Sequence, residues 1–236
     1  MKIAVCYWGV LRTFRTTFPN HKKNILDILT EYGIEVDIYM HTWKGSLVNK
    51  RGNSSQVYSF TTDVSDLVTL TKQTVDDQDE FLSNINLDHY FYKDVYEKFG
   101  NCMNGEWLPE MVMYQICSQE SQKRVMNMVF TSGVEYDRII LLRPDLEMSI
   151  PLVVHSIISM TPKDIILPYD DQCDGYNDRF AIVYPSMVLY YSNRIDEAKE
   201  FRSLHGRLVG EKYVKYILDK YKFTVKFETI SSSIVR

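Results

Sequence analysis

Ile139-Ile140-Leu141-Leu142-Arg143-Pro144-Asp145-Leu146-Glu147-Met148, IILLRPDLEM, joins an apolar run directly to a cluster of charge. Four apolar residues in succession are what a strand buried on both faces requires. An arginine and two carboxylates follow at once. Pro144 has no N–H to give to a ladder, so it marks a strand end or an edge. Strand alternation puts Arg143, Asp145 and Glu147 on one face and Leu142, Leu146 and Met148 on the other. A strand fit for the middle of a sheet thus delivers charge at its carboxyl end, where open α/β sheets bind ligands. Two readings fit these residues. One is a self-satisfied Arg–Asp pair; the other is a site whose carboxylates hold a divalent cation while the arginine grips phosphate.

At the amino end, KIAVCYW (Lys2 to Trp8) reads as another buried strand, stopped by Gly9. A helix is expected from about Pro19 to Tyr32, ended by Gly33. In IEVDIYMHTW, Ile34, Val36, Ile38 and Met40 alternate with Glu35, Asp37, Tyr39 and His41, a second strand that completes a βαβ unit. Residues 44–56 are polar and glycine-containing and read as a mobile loop, and 62–100 as irregular helix; a mobile loop or helical insertion is expected over 44–106. From about Leu108 to Thr131, Met111, Tyr114, Cys117, Ser121, Val125 and Met128 recur at helical spacing. DIILPYDD and RFAIVYP supply further strands, two helices follow near 185–202 and 210–220, and a last strand lies near 224–230. Alternating strands and helices give the expectation of one α/β domain over 1–236, with a mostly parallel, Rossmann-like sheet flanked by helices.

The chain has 236 residues, 45% of them hydrophobic and 25% charged, which excludes a disordered chain. Its formal charge is -4 and its cations are scattered, so nucleic acid is not an expected partner. Cys6, Cys102, Cys117 and Cys173 form no CxxC and no zinc spacing, and a reducing, cytoplasmic compartment is expected. Met1 leads straight into a strand, and no apolar run nears the roughly 20 residues that span a bilayer. A soluble protein, able to act at a membrane surface, is expected.

Several short motifs stand in order. They are Gly9-Val10-Leu11-Arg12-Thr13-Phe14; Asp37-Ile38-Tyr39-Met40-His41-Thr42-Trp43; Tyr136-Asp137-Arg138 leading through IILL into Arg143-Pro144-Asp145-Leu146; Asp178-Arg179-Phe180-Ala181-Ile182; and Gly210-Glu211-Lys212. Together they cover most of the chain and resemble a family of small GT-A-like glycosyltransferases of bacterial surface-polysaccharide clusters and large DNA viruses. Three positions depart from the family pattern. Trp8-Gly9-Val10 stands where Ser-Gly-Gln is usual, Val183 stands for a glycine, and Glu147 takes the second place of an Asp-x-Asp motif.

The resemblance implies a nucleotide-sugar donor carrying UDP or GDP, and a glycan or glycoprotein acceptor. It places Gly9 and Arg12 at the nucleotide, with His41, Thr42 and Trp43 near base or sugar. Arg143 and Asp145 fall at the diphosphate, and Asp145 with Glu147 would hold Mn²⁺ or Mg²⁺. A general base for the acceptor hydroxyl is expected at Asp178 or Glu211. The ordinary alternatives are a turn glycine at Gly9, a core histidine at His41, a solvated acidic loop at 170–178, and a helix-dipole partner at Glu211. Two other functions stay open: a nucleotide- or glycan-binding module without catalysis, and a phospho- or sulfotransferase on a similar sheet, though no GxxxxGK[ST] is present.

Overall fold

The computed structural model describes residues 1–45, 47–49, 56–58, 61–86, 90, 109–205, 209–228 and 232–235. Eleven strands can be followed in chain order. They are β1 Lys2–Trp8, β2 Glu35–Lys44, β3 Leu47–Asn49, β4 Gln56–Tyr58, β5 Lys72–Asp77, β6 Arg138–Leu142, β7 Leu146–Met148, β8 Asp164–Pro168, β9 Phe180–Val183, β10 Thr224–Glu228 and β11 Ser232–Ile234. The helices are α1 Phe14–His21, α2 Asp27–Glu31, α3 Gln78–Ser83, α4 Pro109–Phe130, α5 Val154–Ile158, α6 Pro185–Ser192, α7 Ala198–His205 and α8 Gly210–Lys220.

Seven strands form one mixed sheet in the order β10-β8-β9-β6-β1-β2-β5. All neighbours are parallel except β9, which runs against both β6 and β8. The chain is therefore α/β with a mostly parallel sheet, as its alternating pattern implied. A single loop joins β8 to β9, too short for a crossover helix, and that forces antiparallel pairing. Strands β1, β2 and β5 wind one way from the centre, while β6 starts the other half beside β1. The point where the order reverses lies between β1 and β6.

Alternation along the strands sends the two side-chain sets into two cores. Ile3, Val5, Tyr7, Ile140, Leu142 and Ile182 pack under Phe14, Phe18, Ile25 and Leu29 of the first helical segment. Ala4, Cys6, Trp8, Ile139, Leu141 and Val183 pack under Val125 and Met126 of α4, Val188 and Tyr191 of α6, and Val214 and Leu218 of α8. Helices thus cover both faces. None of the described helices is long and apolar enough to cross a membrane.

Three expectations are revised. The first helix starts at Phe14 rather than Pro19; Pro19 lies inside it, and the chain relaxes through a π turn at Lys22–Leu26 before α2 resumes. The stretch read as irregular helix contains β5, an edge strand paired with β2 from Tyr39↔Lys72 to Lys44↔Asp77. Finally, β6 stops at Leu142, a turn closes from Leu146 N–H to Arg143 O (3.4 Å), and β7 pairs with β11 instead of the main sheet. Strand alternation does not carry through that turn. Glu147 is exposed while Asp145 is buried, so the two carboxylates do not share a face. Much of the proposed insertion, 87–89 and 91–106, lies outside the described residues.

Candidate functional site

At the reversal point the carboxyl ends of β1 and β6 lie side by side, with Tyr7↔Leu142 the last paired residues. Gly9 and Arg143 follow directly. Gly9 has a φ of 103°, and no heavy atom lies within 4 Å of where a Cβ would stand, so its Cα faces open space. Its N–H, however, points inward, to Ser121 Oγ at 2.7 Å and His41 O at 3.2 Å. The Gly9 amide is thus committed to the fold. Arg12 lies half-buried in the loop that leads to α1.

Arg143 closes a fork on the carboxylate two residues on. Its Nε donates to Asp145 Oδ1 at 3.0 Å and its Nη2 to Asp145 Oδ2 at 2.6 Å. Asp145 is only 4% exposed, whereas Arg143 stays partly open. Burial works against the Arg143 charge. Asp145, with Asp178 and Glu211 behind it, outweighs burial and raises the guanidinium further above its ordinary range.

The turn that carries this pair rests on α1 and the π turn after it. Thr17 donates to Pro144 O, His21 Nε2 to Leu146 O at 2.6 Å, and Asn24 Nδ2 to Met148 O at 3.2 Å. Asn20 makes two bonds of 2.9 Å, its amide donating to Met148 O and its carbonyl accepting Met148 N–H. From the other side Val235 donates its N–H to Asp145 O at 2.9 Å and accepts from Thr13 Oγ1 at 3.1 Å. The loop after β1 and the turn after β6 are therefore fastened to one another.

Asp178 reaches the same edge because β9 is antiparallel: its amino end lies where the carboxyl ends of β6 and β8 lie. Glu211 arrives on the first turn of α8. A Cβ on Gly210 would meet Asp178 Oδ2 at 2.7 Å and Gln115 Nε2 at 2.8 Å, so Asp178 and α4 close tightly on the start of α8. Burial, and then the Asp178 charge, push the Glu211 carboxyl up to about 7. Glu211 thus keeps its proton well above the range of an ordinary carboxyl. The arrangement can take a proton from a hydroxyl at ordinary pH.

His41, Thr42 and Trp43 lie inside the protein instead of along this edge. His41 Nε2 meets Asp76 Oδ2 at 3.0 Å and its Nδ1 meets Ser121 Oγ at 2.6 Å. Since Ser121 accepts from Gly9, a consistent chain runs from Gly9 N–H to the Ser121 hydroxyl to Nδ1, with Nε2–H donating to Asp76. Burial holds His41 neutral, down to about 4. Trp43 donates to Cys117 O at 3.0 Å and is covered by Phe81 at 5.2 Å and the Arg124 guanidinium at 4.8 Å. Thr42 is fully buried. These three residues hold up the site from beneath.

Asp145 and Glu147 do not fit a shared cation. Both Asp145 oxygens are occupied by Arg143, and Glu147 points to solvent from β7. Among the described residues no three His, Cys, Asp or Glu side chains gather about a metal position. Two sets of residues escaped the sequence reading. Thr17, Asn20 and His21 of α1 and Asn24 of the π turn after it form a polar stripe at helical spacing, a legible signal. Ser121 stood in plain view within the apolar stripe of α4. No family model matches the sequence, and a search of curated proteins finds no match.

Proposed function

We propose that the chain is a glycosyltransferase that moves a sugar from a nucleotide-sugar to a hydroxyl of a glycan acceptor. The observation that carries this is the Asp178–Glu211 pair, its second carboxyl poised near neutral pH, beside an arginine at the reversal point of the sheet. Arg143 offers its partly open guanidinium to the donor diphosphate, sharing it with Asp145. Arg12 lies at the neighbouring loop for the nucleotide. An acceptor hydroxyl oxygen attacks the anomeric carbon, the bond from that carbon to the diphosphate oxygen breaks, and Glu211 takes the hydroxyl proton. The nucleoside diphosphate leaves with the bonding pair, its charge held by Arg143.

UDP, GDP and their sugar conjugates, each with and without Mn²⁺, test this by thermal shift and by donor turnover. A ligand that binds only the folded state raises apparent stability. At least one nucleotide should do so in the native chain and lose its effect in Arg143→Ala. Glu211→Gln should keep the shift and lose about 100-fold or more in turnover. Binding without turnover of any donor would make the chain a nucleotide-binding module; silence across the panel sinks the proposal.

A further inference from the structure

From Glu211 a row of aromatic rings leads outward over the surface. Glu211 O accepts the Tyr176 N–H at 2.9 Å. Lys215, one turn along α8 from Glu211, sets its ammonium 5.3 Å over the Tyr176 ring. Tyr176 lies 5.7 Å from Phe227 of β10, and Phe227 meets Tyr169 edge-on at 6.0 Å and 87°. Tyr169 follows the last residue of β8 and is tied to β10 by its N–H to Glu228 O at 3.1 Å. Although this end of the sheet has helices to pack against, Tyr169 stays 71% exposed and Phe227 43%.

The loop that joins Tyr169 to Tyr176 is acidic. Asp170, Asp171 and Asp174 occupy the loop between Tyr169 and Tyr176, and the cations nearest them are already engaged, Arg179 with Asp171 and Lys212 with Asp174 at 3.4 Å. Asp171, Cys173 and Asp174 hold φ values of 50°, 39° and 60°, a backbone that side chains rarely adopt, so this loop is shaped at a cost.

We propose that Tyr169 and Phe227 belong to the acceptor subsite and hold a neutral pyranose ring of the acceptor glycan on the aromatic row that leads from Glu211 through Tyr176. Its role as acceptor subsite rests on the transferase reading above. Flat aromatic faces suit the C–H faces of a sugar, and the carboxylates of the adjoining loop are of the kind that accepts from its hydroxyls. A nucleotide fits less well, because Arg179, Lys212 and Lys215 beside these rings are each already paired with a carboxylate and offer phosphate little. A protein partner fits less well too, since protein interfaces deplete charge at their centre.

The test uses the full chain and neutral disaccharides built from glucose, galactose, mannose and N-acetylglucosamine, followed by ligand-observed NMR. At least one should bind. Tyr169→Ala and Phe227→Ala should each weaken it about tenfold, with the UDP or GDP shift unchanged. Both rings are exposed, so both variants should fold; matching circular dichroism checks this. No saccharide binding, or binding equal in both variants, overturns the subsite even where nucleotides bind. Saccharide binding at the rings with no nucleotide bound overturns the transferase, and the acceptor role with it, while confirming a sugar platform. A concentration-dependent dimer abolished by the same variants would overturn the proposal in favour of self-association.

Discussion

Gly175 and Gly210 separate packing from chemistry at the level of single atoms. A Cβ on Gly175 would stand 2.0 Å from Glu211 O, and backbone cannot step aside. Gly175→Ala should destabilise the chain by about 1–3 kcal/mol or more, seen as a lower urea midpoint. At Gly210 the intruding atoms are the ends of Asp178 and Gln115, which can turn away. Gly210→Ala should therefore leave the midpoint nearly unchanged and cut turnover by displacing Asp178. Glu211 adds a pH signature. Its folded carboxyl titrates near 7, above its ordinary value of 4.5, so the folded state binds more protons between those limits. Stability from this group is full below pH 4.5 and is lost as pH rises to 7. Glu211→Gln should raise stability at pH 8 by on the order of 2 kcal/mol, allowing for partial exposure, and change it little at pH 4.

At the level of elements, the site stands on polar bonds that the apolar pattern of the sequence hides. Ser121→Ala would leave His41 Nδ1 buried without a donor and deprive the Gly9 turn of its 2.7 Å anchor. A loss of about 1–3 kcal/mol in urea unfolding is expected. Asn20→Ala should cost a similar amount, since it removes two of the bonds that hold β7 to α1. These elements also show what could be read from the chain. β1, β6 and β8 were legible because a central strand must be apolar on both sides. β5, KQTVDD, was not: an edge strand with every residue partly exposed needs little hydrophobic signal. The Arg143–Asp145 pair was legible as chemistry. The separation of Glu147 was not, because one turn at Pro144 breaks the alternation on which the reading depended.

For the molecule as a whole, two buried histidines set the acid limit. Burial draws both His21 and His41 down from 6.5 to about 4. The folded state binds fewer protons than the unfolded in that window, so stability is full above pH 6.5 and lost as pH falls to 4. Glu211 works in the opposite direction over much of the same range. The urea midpoint of the native chain should fall gently between pH 7 and pH 4.5, and that of Glu211→Gln more steeply.

The antiparallel β9 carries a consequence for how the chain is assembled. β6 and β8 are synthesised first, yet neither touches the other in the finished sheet; each waits for the segment that enters between them. Until it arrives, Ile139–Leu142 and Ile165–Leu167 border an open slot lined with unpaired backbone and aliphatic side chains. That slot admits the matching segment of a second chain as well as its own. Refolding at high protein concentration should therefore yield strand-exchanged dimers, resolved by size-exclusion chromatography, before it yields precipitate.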